Sequence, residues 1–113
     1  MHELVIVEGI LDVVIPKVKK HDVQRILSIR LKVGELSGVV PECIHEYFGI
    51  AAKGTIAEGA RVIIEKNPIR IECPDCGFSG EITKGTHVCP HCGSARFRIV
   101  SGSEYYVESV EAE

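Results

Sequence analysis

Two copies of a Cys-x-x-Cys motif constrain this chain more than any other feature. Cys73-Pro-Asp-Cys76-Gly and Cys89-Pro-His-Cys92-Gly are near-copies, and twelve residues separate Cys76 from Cys89. The spacing lets both sulfurs of one turn reach a single tetrahedral ion at about 2.3 Å, and two such turns supply four thiolates. Four thiolates close the coordination shell and leave no position for a catalytic water. The motifs therefore predict a structural zinc site formed by Cys73, Cys76, Cys89 and Cys92.

The surroundings of these cysteines leave some alternatives open. The segment is rich in Gly, Pro and His and poor in aliphatic residues, so it needs a cross-link in place of an oily core. A thioredoxin-like redox pair is the alternative to zinc, but it needs only one Cys-x-x-Cys, preferably leading into a helix. His87 and His91 are either solvated loop residues or replacement metal ligands. We expect Cys43, the fifth cysteine, to pack as a small hydrophobe.

Composition argues against two classes of partner. The chain has 13 basic and 16 acidic residues, for a formal charge of −3, and residues 70–100 hold four basic against three acidic residues. That balance lacks the basic stripe and interleaved aromatic residues of a nucleic-acid surface. No run approaches the roughly 20 apolar residues of a membrane span, and the acidic start does not resemble a secretory leader. We expect a cytoplasmic protein, in which cysteines are metal ligands before they are disulfides.

Hydrophobic periodicity predicts two helices. The first runs from residue 4 to about residue 20, with Pro16 expected to kink or shorten it. Pro41 suits the first position of the second helix. Their apolar faces are Leu4, Val7, Leu11, Val14 and Val18 in the first helix, and Ile44, Tyr47, Phe48 and Ala51 in the second.

Alternation and β-branched content predict the strands. Leu27, Ile29, Leu31 and Val33 alternate with polar residues, which is typical of a half-buried strand. Further strands are expected over residues 60–66, 69–72, 97–100 and 104–110. The order of elements predicts an α/β body whose last strand follows the cysteine-rich insert.

The amino terminus carries a second pattern with metal chemistry. His2 places an imidazole beside the α-amine of Met1 and the first backbone amides. Those nitrogens can form fused chelate rings around Ni²⁺ or Cu²⁺, which favour square-planar nitrogen ligands. The ordinary alternative is a solvated histidine at the start of a helix.

Several segments together resemble one protein family. They are Met1-His2-Glu3, Val33-Gly34-Glu35-Leu36-Ser37-Gly38-Val39 with Pro41-Glu42, Lys53-Gly54-Thr55-Ile56-Ala57-Glu58-Gly59-Ala60, the paired Cys-x-x-Cys, and Gly102-Ser103-Glu104-Tyr105-Tyr106-Val107. They occur in order over essentially the whole chain. The chain resembles the HypA/HybF family, nickel metallochaperones that mature [NiFe] hydrogenases.

The resemblance implies a fold and a set of metal ligands. It implies a nickel-binding domain of two helices on a three-stranded sheet, from residues 1–69 and 101–113, with an inserted zinc-ribbon domain at residues 70–100. His2 would bind Ni²⁺ with the amine of Met1 and backbone amides including that of Glu3, whose side chain would only assist. The four cysteines would bind Zn²⁺.

The resemblance also implies partners. These are a HypB-type nucleotide-hydrolysing nickel-insertion protein and the [NiFe] hydrogenase large-subunit precursor, without nucleic acid or membrane. We expect a monomer or weak homodimer. Two other functions remain open: a zinc-ribbon adaptor that carries no nickel, and a metal-dependent enzyme, which is disfavoured because no open three-ligand site is visible.

Overall fold

The computed structural model of the chain describes residues 3–113, which form helices, and strands in two sheets. The elements are α1 (Glu3–Lys19), β1 (Ile26–Gly34), α2 (Pro41–Ala51), β2 (Arg61–Asn67), β3 (Ile69–Glu72), β4 (Ser79–Ile82), β5 (Arg98–Ser101) and β6 (Tyr105–Ala112). The strand orders are β2-β1-β6 and β4-β3-β5. The predicted fold class, two helices with a three-stranded sheet and a ribbon that carries four cysteines, is confirmed.

Neither of the helices within residues 3–113 is long and apolar enough to cross a bilayer.

The buried face of α1 differs from the prediction in its first turn. Val7, Leu11 and Val14 are buried as expected, but Leu4 is 40% exposed. The helix begins at Glu3, and Glu3 lies four residues before Val7, so it occupies the buried position that the stripe reaches next. The prediction that Leu4 belongs to the core is therefore wrong, and the stripe passes through Glu3.

Pro16 does not end α1. The helix continues past it to Lys19, so Pro16 does not shorten the helix, and the alternative of a kink stays a prediction. Pro16 lacks the N–H that would bond to the carbonyl of Asp12, yet only three helical residues follow it. The helix therefore loses one hydrogen bond near its end.

Helix α2 begins as predicted. Pro41 is at the first helical position, and Val40 before it is extended at φ −99° and ψ 111°, as a residue that precedes proline prefers. Ile44 and Phe48 are buried, and α2 packs against α1.

The first sheet is built around β1. Ile29, Leu31 and Val33 are buried as predicted, but Leu27 is only partly buried and Ser28 is buried, so the predicted alternation holds only from Ile29 onward. On the same strand the Arg30 and Lys32 side chains are partly exposed and lie near Glu65 of β2. From Ile29 onward, one set of β1 side chains thus supplies the core and the other a charged surface.

The second sheet is built around β3, which pairs antiparallel with β4 and β5. Ile69 and Ile71 of β3 are almost completely buried. Strand β4 was not expected, because its sequence Ser-Gly-Glu-Ile has few strand-favouring residues. It forms because β3 supplies a hydrogen-bonding edge, with Glu72 paired to Ser79 next to the connecting turn and Ile69 paired to Ile82 at the open end of the hairpin.

Contacts divide the chain into two compact units. The first contains residues 3–32, Val39–Glu65 and Tyr106–Glu113, and the second contains Val33–Gly38 and Lys66–Tyr105. Aliphatic and aromatic residues from both helices and from β1 are buried in the first unit. The second unit buries two cysteines and few large aliphatic residues, so its stability depends more on a cross-link.

Candidate metal centre

The four cysteines of the paired motifs meet at one place. Their sulfur atoms all lie within 4.8 Å of one another. Cys73 and Cys89, the first cysteine of each motif, are buried, whereas Cys76 is intermediate and Cys92 is exposed. Each motif thus contributes one sulfur from inside the fold and one from nearer the surface.

Each motif folds into a turn held by the same backbone hydrogen bonds. We call residues 73–78 the first knuckle and residues 89–94 the second knuckle. In the first, the N–H of Cys73 donates to the carbonyl of Phe78 at 2.8 Å, and the N–H of Gly77 donates back to Cys73 at 2.8 Å. In the second, the N–H of Cys89 donates to Ser94 at 2.7 Å and the N–H of Gly93 to Cys89 at 2.8 Å.

The backbone conformation explains the glycine that follows each Cys-x-x-Cys motif. Gly77 and Gly93 both have φ +80°, in the left-handed region where a side chain would be strained. This turn folds the chain back so that both sulfurs of one knuckle point to the same side.

The donor set fits a tetrahedral ion. Four sulfurs about 2.3 Å from one ion lie about 3.8 Å apart. Two of the sulfur pairs that join the knuckles measure 3.6 Å for Cys73 with Cys92 and 3.7 Å for Cys76 with Cys89. Four thiolates without hard oxygen ligands are typical of structural zinc.

The thiols of this cluster differ in acidity. Burial raises the pKa of Cys89, but the backbone N–H groups of Cys92 and His91 and two neighbouring thiols lower it to about 7. The backbone N–H of Phe78 lowers the pKa of Cys76, but burial and the other three thiols raise it to about 12. Once one thiolate has formed, a second in contact with it is unfavourable unless a cation shares the charge. Metal binding here must therefore release protons.

The two histidines of this region lie outside the sulfur cluster. The candidate metal-binding group found within residues 3–113 contains the four cysteines and neither His87 nor His91. His87 is exposed, and the ring of His91 stacks on Phe78 with centroids 6.2 Å apart and planes 14° apart. The hypothesis that either histidine replaces a cysteine stays a prediction.

The predicted nickel ligands fall mostly beyond the described chain. Met1 and His2 lie outside residues 3–113. Glu3 is the first residue of α1 and is only 9% exposed. The assisting role of its side chain stays a prediction, like the rest of that site.

Sequence reasoning missed a polar cluster between the knuckles. Asp75, inside the first motif, accepts hydrogen bonds from the hydroxyl of Ser94 and the guanidinium of Arg96. The hydrogen bonds from Arg96 and Ser94 hold the pKa of Asp75 below its usual range. The sequence feature that could have indicated this cluster is the near-identity of the two motifs. Their non-cysteine positions face each other when two such turns share one ion.

Comparison with known proteins shows which family this chain belongs to. The family model described as "Hydrogenase/urease nickel incorporation, metallochaperone, hypA" matches residues 1–112. The chain is 35% identical over 113 residues to the hydrogenase maturation factor HybF of Klebsiella pneumoniae. It is 38% identical over 113 residues to the hydrogenase maturation factor HypA of Geobacter sulfurreducens. Both alignments cover 100% of each chain.

Two solved structures share the fold. A HypA protein solved in solution aligns with a TM-score of 0.76 at 23% identity, over 100% of this chain and 97% of that one. The solution structure of the Ni metallochaperone HypA from Helicobacter pylori aligns with a TM-score of 0.69 at 22% identity, over 99% and 97%. The chain therefore belongs to the HypA family of hydrogenase maturation factors and nickel metallochaperones, and it carries a four-cysteine metal site.

Proposed function

We propose that this chain carries Ni²⁺ at its amino terminus and delivers it during maturation of a [NiFe] hydrogenase. The observation that carries the proposal is the family match over residues 1–112, which includes the His2 position and all four cysteines. In this proposal the chain catalyses no reaction of its own.

The nickel ligands we propose are the imidazole of His2, the α-amine of Met1 and backbone amides including that of Glu3. Backbone amides bind Ni²⁺ only after losing their protons, so binding weakens as pH falls. Ligands at a chain terminus can leave one at a time, because few packed groups must move with them. Such a site suits a cargo that has to be handed on.

The ion we propose for the four-cysteine centre is Zn²⁺, held by Cys73, Cys76, Cys89 and Cys92. Its role is structural, because four thiolates leave no open position for a substrate or a water. The second unit buries few large aliphatic residues, and the zinc ion supplies the missing stabilisation.

The partners we propose follow from the same family. The names of the curated relatives describe hydrogenase maturation factors, and the family model describes nickel incorporation. For this chain we propose a HypB-type nucleotide-hydrolysing insertion protein and the hydrogenase large-subunit precursor as partners. We also propose that the protein acts in the cytoplasm as a monomer or weak homodimer.

Nickel titration of the zinc-loaded protein tests the amino-terminal site. The comparison uses protein with a native terminus, His2→Ala, and protein with an extension before Met1. Binding should weaken by at least tenfold in the last two, since each removes one nitrogen ligand. His45→Ala is the matched control, because His45 is an exposed histidine on α2.

Two outcomes would contradict the proposal. One is the same nickel affinity for His2→Ala as for the parent. The other is full affinity in the extended protein, which has no α-amine at Met1. Either result with zinc still bound would mean that nickel binds away from the amino terminus. A zinc-loaded parent that binds no nickel would instead favour a zinc-ribbon adaptor that carries no nickel.

A further inference from the structure

The two knuckles contact each other through equivalent positions. Asp75 and His91 each lie two residues after the first cysteine of their knuckle. Phe78 and Ser94 each lie five residues after it. Asp75 contacts Ser94, and His91 stacks on Phe78. The same two positions thus face each other twice, once through a polar contact and once through a ring contact.

The polar contact involves a third residue. Arg96 donates from Nε to Oδ2 of Asp75 at 3.2 Å and from Nη2 to Oδ1, so the guanidinium binds both carboxylate oxygens. The Ser94 hydroxyl donates to Asp75 and accepts the backbone N–H of Arg96 at 3.1 Å. The Asp75 carboxylate of the first knuckle therefore binds Ser94 at the end of the second knuckle and Arg96 just beyond it.

We propose that Asp75, Ser94 and Arg96 are positioning residues for the four-cysteine centre. This inference rests on the proposed zinc site and adds to it a reason for slow metal release. The three residues join the knuckles without touching the ion, so the sulfurs stay close together after one of them dissociates. A chelator must then separate the knuckles against this contact before the ion can leave.

The geometry separates this contact from ordinary surface ion pairs. Isolated exposed pairs usually contribute little, whereas a two-point arginine–carboxylate contact with a further donor is more specific. The Asp75 side chain is 29% exposed, because it lies between the knuckles. Residues that orient metal ligands typically change metal affinity by about 10- to 100-fold when they are removed.

The same unit offers a matched control. Arg98 pairs with Glu72 at 3.0 Å and is 74% exposed, close to the 77% of Arg96. The Arg98 pair joins β3 to β5 and does not join the knuckles. Arg96→Ala and Arg98→Ala therefore remove the same side chain at similar exposure, and only the first removes the contact between the knuckles.

The test is the rate at which the zinc-loaded full chain loses zinc to an excess of a chromogenic chelator. Arg96→Ala and Asp75→Asn should release zinc about tenfold faster than the parent, and Arg98→Ala within twofold of it. The double variant with Asp75→Asn and Arg96→Ala should release zinc no more than twofold faster than the faster single variant, because both changes remove the same contact. Cobalt-loaded Arg96→Ala should keep the parent's thiolate-to-cobalt absorption, which shows that the ligands are unchanged.

Three results would overturn the inference. They are a parental release rate for Arg96→Ala, equal acceleration by Arg98→Ala, and multiplication of the single effects in the double variant. If Asp75→Asn does not fold, the comparison of Arg96→Ala with Arg98→Ala decides alone. The cobalt spectrum of the parent tests the four-cysteine site itself, so failure of that proposal is distinguished from failure of this one.

Discussion

The backbone of Gly34 lies directly against that of Gly102 and Glu104. Its N–H donates to the carbonyl of Glu104 at 2.8 Å, and the N–H of Leu36 donates to Gly102 at 2.7 Å. A Cβ at Gly34 would lie 2.2 Å from the Gly102 oxygen, much closer than a carbon atom can approach. The glycine in Val33-Gly34-Glu35 is therefore required by close backbone packing.

Alanine substitutions at two glycines should have opposite effects on stability. Gly34→Ala should lower the free energy of unfolding by about 3 kcal/mol, because the atoms it meets are backbone atoms that cannot move aside. Gly9→Ala should raise it by up to about 1 kcal/mol, since Gly9 is exposed within α1 and a Cβ there meets nothing within 4 Å. Urea midpoints of the zinc-loaded proteins, at an unchanged slope, measure both. A stable Gly34→Ala protein would contradict the packing argument.

The exposed charges of the first sheet connect its three strands. Lys32 of the central strand β1 lies 3.7 Å from Glu65 of β2 and 3.9 Å from Glu108 of β6, and Arg30 lies 3.4 Å from Glu65. Opposite charges on neighbouring strands favour one register. Desolvation raises the pKa of Glu65, but Lys32 and Arg30, with a smaller contribution from Glu108, lower it below its usual value of 4.5.

The lowered pKa predicts how Glu65 affects stability as pH changes. Its folded pKa lies below its unfolded pKa, so its contribution is present above about pH 4.5 and is lost as pH falls through the folded value. Glu65→Gln should therefore have a lower urea midpoint than the parent at pH 7, and the difference should disappear in acid and shrink in high salt. Glu46→Gln, at an exposed carboxylate of α2, is the control. A difference that persists after the pH has fallen through the folded pKa of Glu65 would show that packing, and not charge, is responsible.

Strong periodicity made most elements predictable, and local context accounts for the rest. The helices, the central strand β1 and the proline at the start of α2 follow from the pattern of apolar residues. Strand β4 could not be predicted, because its pairing partner and not its own residues makes it a strand. The prediction for Leu4 failed because the buried stripe of α1 passes through Glu3, and Pro16 is tolerated because it lies near the end of α1.

The metal centre was likewise only partly predictable from the sequence. Cysteine spacing alone predicted that the four sulfurs meet, because a Cys-x-x-Cys turn points both sulfurs to one side. The contact of Asp75 with Ser94 and Arg96 depends on how two turns face each other. The cysteine spacing within one turn therefore does not predict this contact.

The two compact units differ in what stabilises them. The first buries a continuous set of aliphatic and aromatic side chains, including Val7, Ile29, Leu31 and Phe48. The second buries Ile69 and Ile71 beside Cys73 and Cys89. We expect a small unit with so little apolar surface inside to depend on a metal ion at the four cysteines, which in such sites contributes roughly 10–16 kcal/mol at neutral pH.

Zinc removal should therefore unfold residues 70–100 of the second unit and leave the first unit folded. Hydrogen exchange after chelation should be fast at the amides of Cys73 and Cys89, which donate to Phe78 and Ser94 within the knuckles. The amide of Ile26, which donates to Ile56 at 2.8 Å in the first unit, should stay protected. Loss of protection at Ile26 together with the knuckles would contradict this independence.

The amides of Gly34 and Leu36 decide where the boundary between independently stable parts lies. Both belong to the second unit by contact, and they bond to Glu104 and Gly102. The domain limits expected from family resemblance place them instead with the nickel-binding domain of residues 1–69 and 101–113. Slow hydrogen exchange of these two amides after zinc removal would support those limits, because hydrogen bonds that do not depend on the ion would remain formed. Exchange as fast as at Cys73 would extend the zinc-dependent part beyond residues 70–100.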